Sequence, residues 1–269
     1  MARIVIVTES DFVWALPVWE RAIPVLRQGG HEVVGLWTCP ATLAKLRGGR
    51  IALWYLTHFG LVDFIKLGCL ASLSRLRRAV RAIFRRAAPN FQALAKYHGV
   101  AYGRCTGPND AAFLEWLRSA RPDILVIWVG EILKTQVLSV PTLGCINKHA
   151  SLLPGYKGIF PYLWAFSDGA MQGVTFHRVT ESVDEGDILF QQKVPEQWLP
   201  TSMVRFYLET YRQYPTMLLL SIDALVEGRK VSLDDSAPSY FGLPAKQDIE
   251  RFRKCGGHIV RWQDIFAEQ

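Results

Sequence analysis

The chain has 269 residues, half of them hydrophobic and one fifth charged, which excludes a disordered or fibrous protein and leaves ample length for a core. Thirty-one Lys and Arg against 24 Asp and Glu give a net charge of +7, which favours anionic partners such as phosphates, nucleotides, acidic membranes or RNA without choosing among them. The five cysteines (Cys39, Cys69, Cys105, Cys145 and Cys255) are scattered and form no C-x-x-C pair, so reduced thiols are expected rather than a disulfide framework or a metal site. In chain order, "RIVIVT" (residues 3–8) is a β-branched run that predicts a buried strand. The start, "MARIVIVTES", reads as too short and too soon polar for a signal peptide, and a cytoplasmic location is expected. Ser10 or Asp11 can cap the helix that follows, with Trp14, Val18 and Ala22 at helical spacing. After the Gly29-Gly30 stop, "HEVVGLW" predicts a second strand. "PDILVIWV" (122–129), "GCIN" (144–147) and "GVTFHRV" (173–179) predict further strands, with a helix over 111–120. Strands alternating with helices, several of them continuously apolar, predict an α/β fold: a Rossmann-like, mostly parallel sheet with helices on both faces.

Two stretches depart from this rhythm. Residues 53–86 begin strongly apolar, with Asp63 and Lys66 inside, and continue as "SRLRRAVRAIFRR". Leu73, Leu76, Val80 and Ile83 share one helical face there, with most of the arginines opposite. An internal charge pair argues against a membrane span. An amphipathic helix pair packed on the sheet edge is expected, with peripheral membrane contact or binding of an anionic substrate as the alternatives. After Pro200, a long helix is expected, interrupted near Pro215. A short amphipathic helix follows from about residue 245, before a Gly256-Gly257 stop.

The stretch "INKHASLLPGYKG" (146–158) places Asn147 and His149 one residue apart at the carboxyl end of the "GCIN" strand, where open α/β sheets carry their functional groups. Alone, such a pair more often satisfies loop backbone. Thirty-five residues past the histidine, "ESVDEGDILFQQ" puts Asp184 in a turn ahead of a new strand. An imidazole can take a proton, an amide can donate to a developing oxyanion, and a carboxylate can hold the imidazole. Together these meet the needs of acyl transfer to an amine. His177, inside "GVTFHRV", reads as a partly buried strand histidine.

The segment 122–194, with its Asn-x-His, Ser-Leu-Leu-Pro, Gly-Val-Thr and Asp-x-Gly-Asp elements in order, resembles the catalytic core of the 10-formyltetrahydrofolate-dependent formyltransferases. That family includes methionyl-tRNA, glycinamide ribonucleotide and sugar N-formyltransferases. The resemblance implies a formyltransferase catalytic domain over 1–198, with a helical insertion at about 53–86 and a helical C-terminal extension over 199–269. It implies catalytic roles for Asn147, His149 and Asp184. It also implies a folate slot at Trp128, Gly130, Ile132 and Leu133, with backbone near Gly130 and Ile132 reading the pterin, and at Ser151, Leu152, Leu153 and Pro154. The co-substrate would be 10-formyltetrahydrofolate, and the acceptor a small, anionic amine such as a nucleotide-linked amino sugar. Lys157 stands where many members have Arg. The short helical tail argues against tRNA. Formylation of another small-molecule or lipid-linked amine, methionyl-tRNA formyltransferase-like activity and formyltetrahydrofolate hydrolysis are the alternatives, and a homodimer is a further option.

Overall fold

Each strand expected from the sequence is a strand in the computed structural model, which describes residues 1–195, 202–231 and 237–267. The first half runs β1 (Arg3–Glu9), α1 (Ala15–Gln28), β2 (Glu32–Cys39), a small hairpin of β3 (Thr42–Leu43) and β4 (Leu46–Arg47), α2 (Gly49–Phe59), α3 (Leu61–Ile83), α4 (Phe91–Tyr97), β5 (Ala101–Arg104) and α5 (Ala111–Ala120). The second half runs β6 (Ile124–Trp128), α6 (Thr135–Leu138), β7 (Gly144–His149), β8 (Lys157–Gly158), α7 (Pro161–Ser167), β9 (Gly173–Arg178), β10 (Ile188–Lys193), α8 (Met203–Val226), β11 (Tyr240–Phe241), α9 (Lys246–Lys254) and α10 (Trp262–Phe266).

The main sheet has the order β10-β9-β7-β6-β1-β2-β5. The five strands from β5 to β7 are parallel, and β9 and β10 add an antiparallel edge. The strand order reverses between β1 and β6, so the chain leaves the sheet in opposite directions there and opens a crevice at the carboxyl ends of the strands. Successive residues of β1 serve two cores. Ile4 and Ile6 pack with Trp19, Ile146 and Phe176 on the α1–α8 face, while Val5 and Val7 pack with Phe113, Leu117 and Leu125 on the α5 face. This two-sided burial explains why the strands read as unbroken apolar runs.

Asp11 begins the turn into α1 by accepting hydrogen bonds from the N–H groups of Val13 (2.7 Å) and Trp14 (3.2 Å). The helix itself starts at Ala15. Ser202 caps α8 through its Oγ, which accepts from the Arg205 N–H at 2.9 Å. The expected interruption at Pro215 is absent: α8 runs unbroken to Val226. A proline inside a helix loses one hydrogen bond. Here Tyr214, Pro215, Met217 and Leu218 are all buried, and burial of large apolar side chains at about 1.5–3 kcal/mol each outweighs that loss. Ile249, Phe252 and Ile259 of the tail enter the same core as β1 and β9, so the C-terminal helices complete the packing of the sheet. The boundary expected between residues 198 and 199 lies outside the described residues.

The insertion forms a helix pair, divided at Gly60 (φ 82°). Trp54, Phe59 and Leu70 anchor it to the core. The expected burial of its amphipathic face does not occur: Leu76, Val80 and Ile83 are 62%, 45% and 77% exposed. Among the described residues, no helix is long and apolar enough to cross a membrane.

Candidate active site

A cavity of about 1430 Å³ opens at the carboxyl ends of β1, β6 and β7, between α2–α3 on one side and α8 on the other. Pockets for a single small ligand commonly measure about 300–1,000 Å³, so there is room for two reactants. Asn147, His149, His177 and Asp184 all line it.

Strand geometry brings three of these together. Side chains alternate along a strand, so Asn147 and His149 share one face of β7. Antiparallel pairing places His177 of β9 directly opposite Asn147, where cross-strand side chains are about 4.5–5.5 Å apart at Cβ. Asp184 arrives from the β9–β10 connection in a left-handed conformation (φ 53°). Two contacts pin that turn. The Gly158 N–H donates to Asp184 Oδ2 at 2.9 Å, and Lys157 Nζ lies 2.8 Å from Glu185 Oε1. At Gly186 a Cβ would stand 1.7 Å from the Arg178 carbonyl oxygen, so the turn closes only with glycine there.

The Asp184 carboxylate sits between two imidazoles. His149 Nδ1 is 3.4 Å from Oδ2, and His177 Nε2 is 3.4 Å from Oδ1. The opposite nitrogen of each ring faces a backbone carbonyl: His149 Nε2 lies 2.8 Å from Tyr156 O, and His177 Nδ1 lies 3.0 Å from Arg178 O. A carbonyl oxygen only accepts, so the proton of each neutral ring resides on that opposite nitrogen. Both lone pairs then turn toward Asp184. One added proton, on either ring, gives a hydrogen-bonded imidazolium–carboxylate pair. His177 is therefore part of the constellation, and its sequence reading as a plain strand histidine is corrected. The register that places it beside Asp184 is a long-range pairing that no local pattern carries.

The protonation states follow from burial. Desolvation lowers the His149 pKa below the usual 6.5 and outweighs the opposing effects of Asp184 and the Tyr156 carbonyl, so the ring is neutral at pH 7 with Nδ1 free to accept a proton. For Asp184, burial raises the pKa. The His177 contact, the charge of the two histidines and the Gly158 N–H outweigh it and bring the value to about 2. The carboxylate is thus a standing negative charge beside the base.

Lys148 points to the other face of β7. Its Nζ lies 4.3 Å from the Tyr211 ring centroid, 5.5 Å from that of Tyr207 and 3.5 Å from Thr210 Oγ1. Among the described residues it makes no ion pair. Desolvation lowers its pKa from 10.5 to about 7. The folded chain gives up this proton near pH 7, whereas the unfolded chain holds it to about 10.5. Stability from this group therefore rises with pH across that window, and the desolvation cost is fully present below it. We expect Lys148→Met to raise the melting temperature at pH 6, with the difference closing by pH 10. Thermal melts across that range check it.

Of the residues expected in a folate slot, Trp128, Gly130, Ile132 and Leu133 line the cavity. Gly130 passes so close to Thr42 that a Cβ would stand 2.5 Å from its carbonyl oxygen. The Gly130 N–H already donates to Glu9 Oε1 at 3.0 Å, and the Ile132 carbonyl accepts from Asn109 Nδ2 at 2.9 Å. The expected backbone reading of a flat heterocycle at these positions therefore competes with internal partners. Ser151, Leu152, Leu153 and Pro154 lie outside the lining. Ser151 Oγ donates to Gly155 O at 2.9 Å, Leu153 N–H donates to Thr175 Oγ1 at 3.0 Å, and Leu153–Pro154 is a cis peptide bond. This turn buttresses the end of β7 from below. Glu9 and Lys148 were not singled out from sequence, where each is one charged residue at the edge of an apolar run.

Residues 79–201 match the family model described as formyl transferase. A methionyl-tRNA formyltransferase of Syntrophus aciditrophicus is 34% identical over 163 residues, which is 59% of this chain and 49% of that protein. One from Lachnospira eligens is 41% identical over 99 residues, 36% of this chain and 31% of the relative. The chain thus spans about a third to a half of these relatives. By structure it is similar to a sugar N-formyltransferase from Shewanella sp., with TM-score 0.57, 14% identity, and 96% and 89% of the two chains covered. It is likewise similar to glycinamide ribonucleotide transformylase 1 from Symbiobacterium toebii, with TM-score 0.53, 21% identity, and 87% and 92% covered. The sheet that carries Asn147, His149, His177 and Asp184 therefore has the fold of these formyltransferase structures, and residues 79–201 match the formyl transferase family model.

Proposed function

We propose that the chain is an N-formyltransferase that moves a formyl group from 10-formyltetrahydrofolate to a primary amine. The observation that carries the reading is the convergence of an amide, two imidazoles and an ionised carboxylate on one wall of a cavity large enough for donor and acceptor together. The folate would supply the formyl carbon as electrophile, held against the wall of Trp128, Gly130, Ile132 and Leu133, which is apolar apart from backbone groups. Asn147 donates to the carbonyl oxygen as it gains negative charge. His149 Nδ1 accepts the proton that the amine loses on adding to the carbon. Asp184 stabilises the resulting imidazolium and keeps the proton close for return to the departing nitrogen. His177 Nε2 faces the other carboxylate oxygen at 3.4 Å.

For the acceptor, the cavity offers Lys45, Arg75 and Lys134 among its lining residues. These cations suit an amine that also bears an anionic group, such as an amino sugar on a nucleotide diphosphate. The curated relatives named above act on methionyl-tRNA by their names, which makes an aminoacyl-tRNA the second acceptor to test. The deciding assay incubates the chain with 10-formyltetrahydrofolate and a panel of nucleotide-linked amino sugars, glycinamide ribonucleotide and methionyl-tRNA. Mass spectrometry of each acceptor looks for the gain of one CO unit. Formate release at the same rate without any acceptor would replace the reading with hydrolysis, and no consumption of the folate under any condition would end it.

A further inference from the structure

The insertion presents an outward surface most of which lies outside the cavity. Along α3 the exposed positions recur every three to four residues: Leu61, Val62, Ile65, Gly68, Cys69, Ser72, Arg75, Leu76, Ala79, Val80 and Ile83. They form one stripe along the 23-residue helix, about 35 Å long at 1.5 Å per residue. Phe84 continues the stripe at 68% exposure. Arg75 lies at its margin, and Arg85 and Arg86 close its C-terminal end. α10 packs along one flank and adds Trp262 and Phe266, exposed by 57% and 66%. Its large apolar side chains cluster at the two ends, Leu61, Val62 and Ile65 at one and Leu76, Val80, Ile83 and Phe84 at the other, and soluble proteins rarely expose so many together.

Charge selects the occupant. Between residues 49 and 86 there are eight Lys and Arg and a single acid, Asp63. That local excess equals the net charge of the whole chain, +7, so acids and bases balance elsewhere. Asp63 is itself engaged by Lys66 and Arg253. Among the described residues, Arg75, Arg81, Arg85 and Arg86 are exposed and make no ion pair. An aliphatic stripe edged by arginines and interfacial aromatics has the chemistry of a helix lying in the plane of an acidic bilayer. RNA would call for a basic groove with stacking platforms rather than a row of Leu, Ile and Val. A second copy of this chain would bring the same positive charge against itself.

We propose that the exposed face of α3, with Phe84, Trp262 and Phe266, docks on a bilayer rich in anionic lipid. The stripe and the cavity meet at Gly68 and Arg75, which belong to both. Docking therefore sets the mouth of the cavity beside the headgroups. The surface is independent of the formyl-transfer reading, and its test needs no turnover.

The test is flotation of the full chain with vesicles of pure phosphatidylcholine and with vesicles holding about one third phosphatidylglycerol. The chain is expected to float with the acidic vesicles at least tenfold more than with the neutral ones, and half-molar salt should weaken this. Leu76→Asp combined with Ile83→Asp should lower flotation at least tenfold. Arg85→Ala combined with Arg86→Ala should lower it several-fold. All four side chains are exposed, so circular dichroism and melting temperature should match wild type. Absence of flotation with acidic vesicles overturns the proposal, as does equal flotation of wild type and the double-aspartate variant. A dimer in solution that the double-aspartate variant splits, without vesicle binding, overturns it in favour of a second copy. Retention on RNA but not on vesicles overturns it in favour of nucleic acid.

Discussion

Replacing His149 by alanine lowers kcat by about 10²–10⁴-fold, the usual contribution of a general base, while the chain stays folded. The ring is buried and neutral, its Nε2 proton is committed to the Tyr156 carbonyl, and its Nδ1 lone pair is the one that faces the carboxylate. In the proposed mechanism, removing it deletes the acceptor for the amine proton. The structural loss is one hydrogen bond and a partly filled void. A neutral hydrogen bond contributes about 0.5–1.5 kcal/mol, and Ser151 Oγ remains 3.4 Å from the same Tyr156 oxygen. His149→Gln separates the two roles. The glutamine amide can donate to Tyr156 O but cannot take a proton at neutral pH. A positioning role would be rescued by glutamine, whereas a base role would not. Steady-state rates of both variants, with added imidazole as a rescue arm for the alanine variant, check it. A kcat within threefold of wild type for either variant removes His149 from the chemistry.

The sequence revealed strands and chemistry to very different depths. β1 and β6 were legible because a strand buried on both faces is apolar along its core, and such a run needs no knowledge of its neighbours. Asn147, His149 and Asp184 were legible as residue types in a recognised order. What joins them was not. His177 belongs to the site only because β9 runs antiparallel to β7 in the register that sets it opposite Asn147. A one-residue slip would turn it to the other core. The turn at Ser151–Pro154 carries a recognisable pattern, yet its Leu153 backbone is tied to Thr175 of β9 and Gln191 of β10 and none of its four residues lines the cavity. On α3, periodicity announces an apolar face but does not say whether protein covers it. The structure leaves that face to solvent.

Asp184→Asn is expected to lower kcat by about 10²-fold or more, since the proton taken by His149 then has no counter-charge, and to shift the pH profile of what remains. Asparagine keeps the shape of the carboxylate, and its Oδ1 can still accept from the Gly158 N–H. The loss is charge alone. At present Asp184 raises the His149 pKa against the larger effect of burial. Without that charge the imidazole holds a proton less readily, so its pKa drops further below 6.5. Activity that requires neutral His149 is lost as pH falls through that pKa. The acid limb of kcat against pH therefore moves to lower pH in the variant, even as the plateau drops. A residue that merely shaped the turn would lower the rate and leave the limb in place. Stability supplies a second sign. The carboxyl has its pKa lowered from 3.8 to about 2 in the folded chain, so its ionised form contributes stability that is present above about pH 3.8 and is lost as pH falls through about 2. Denaturant titrations should find the variant less stable than wild type at pH 7, with the gap narrowing below pH 4. An unmoved acid limb together with a pH-independent stability gap would show that the charge at position 184 is not coupled to the imidazole at 149.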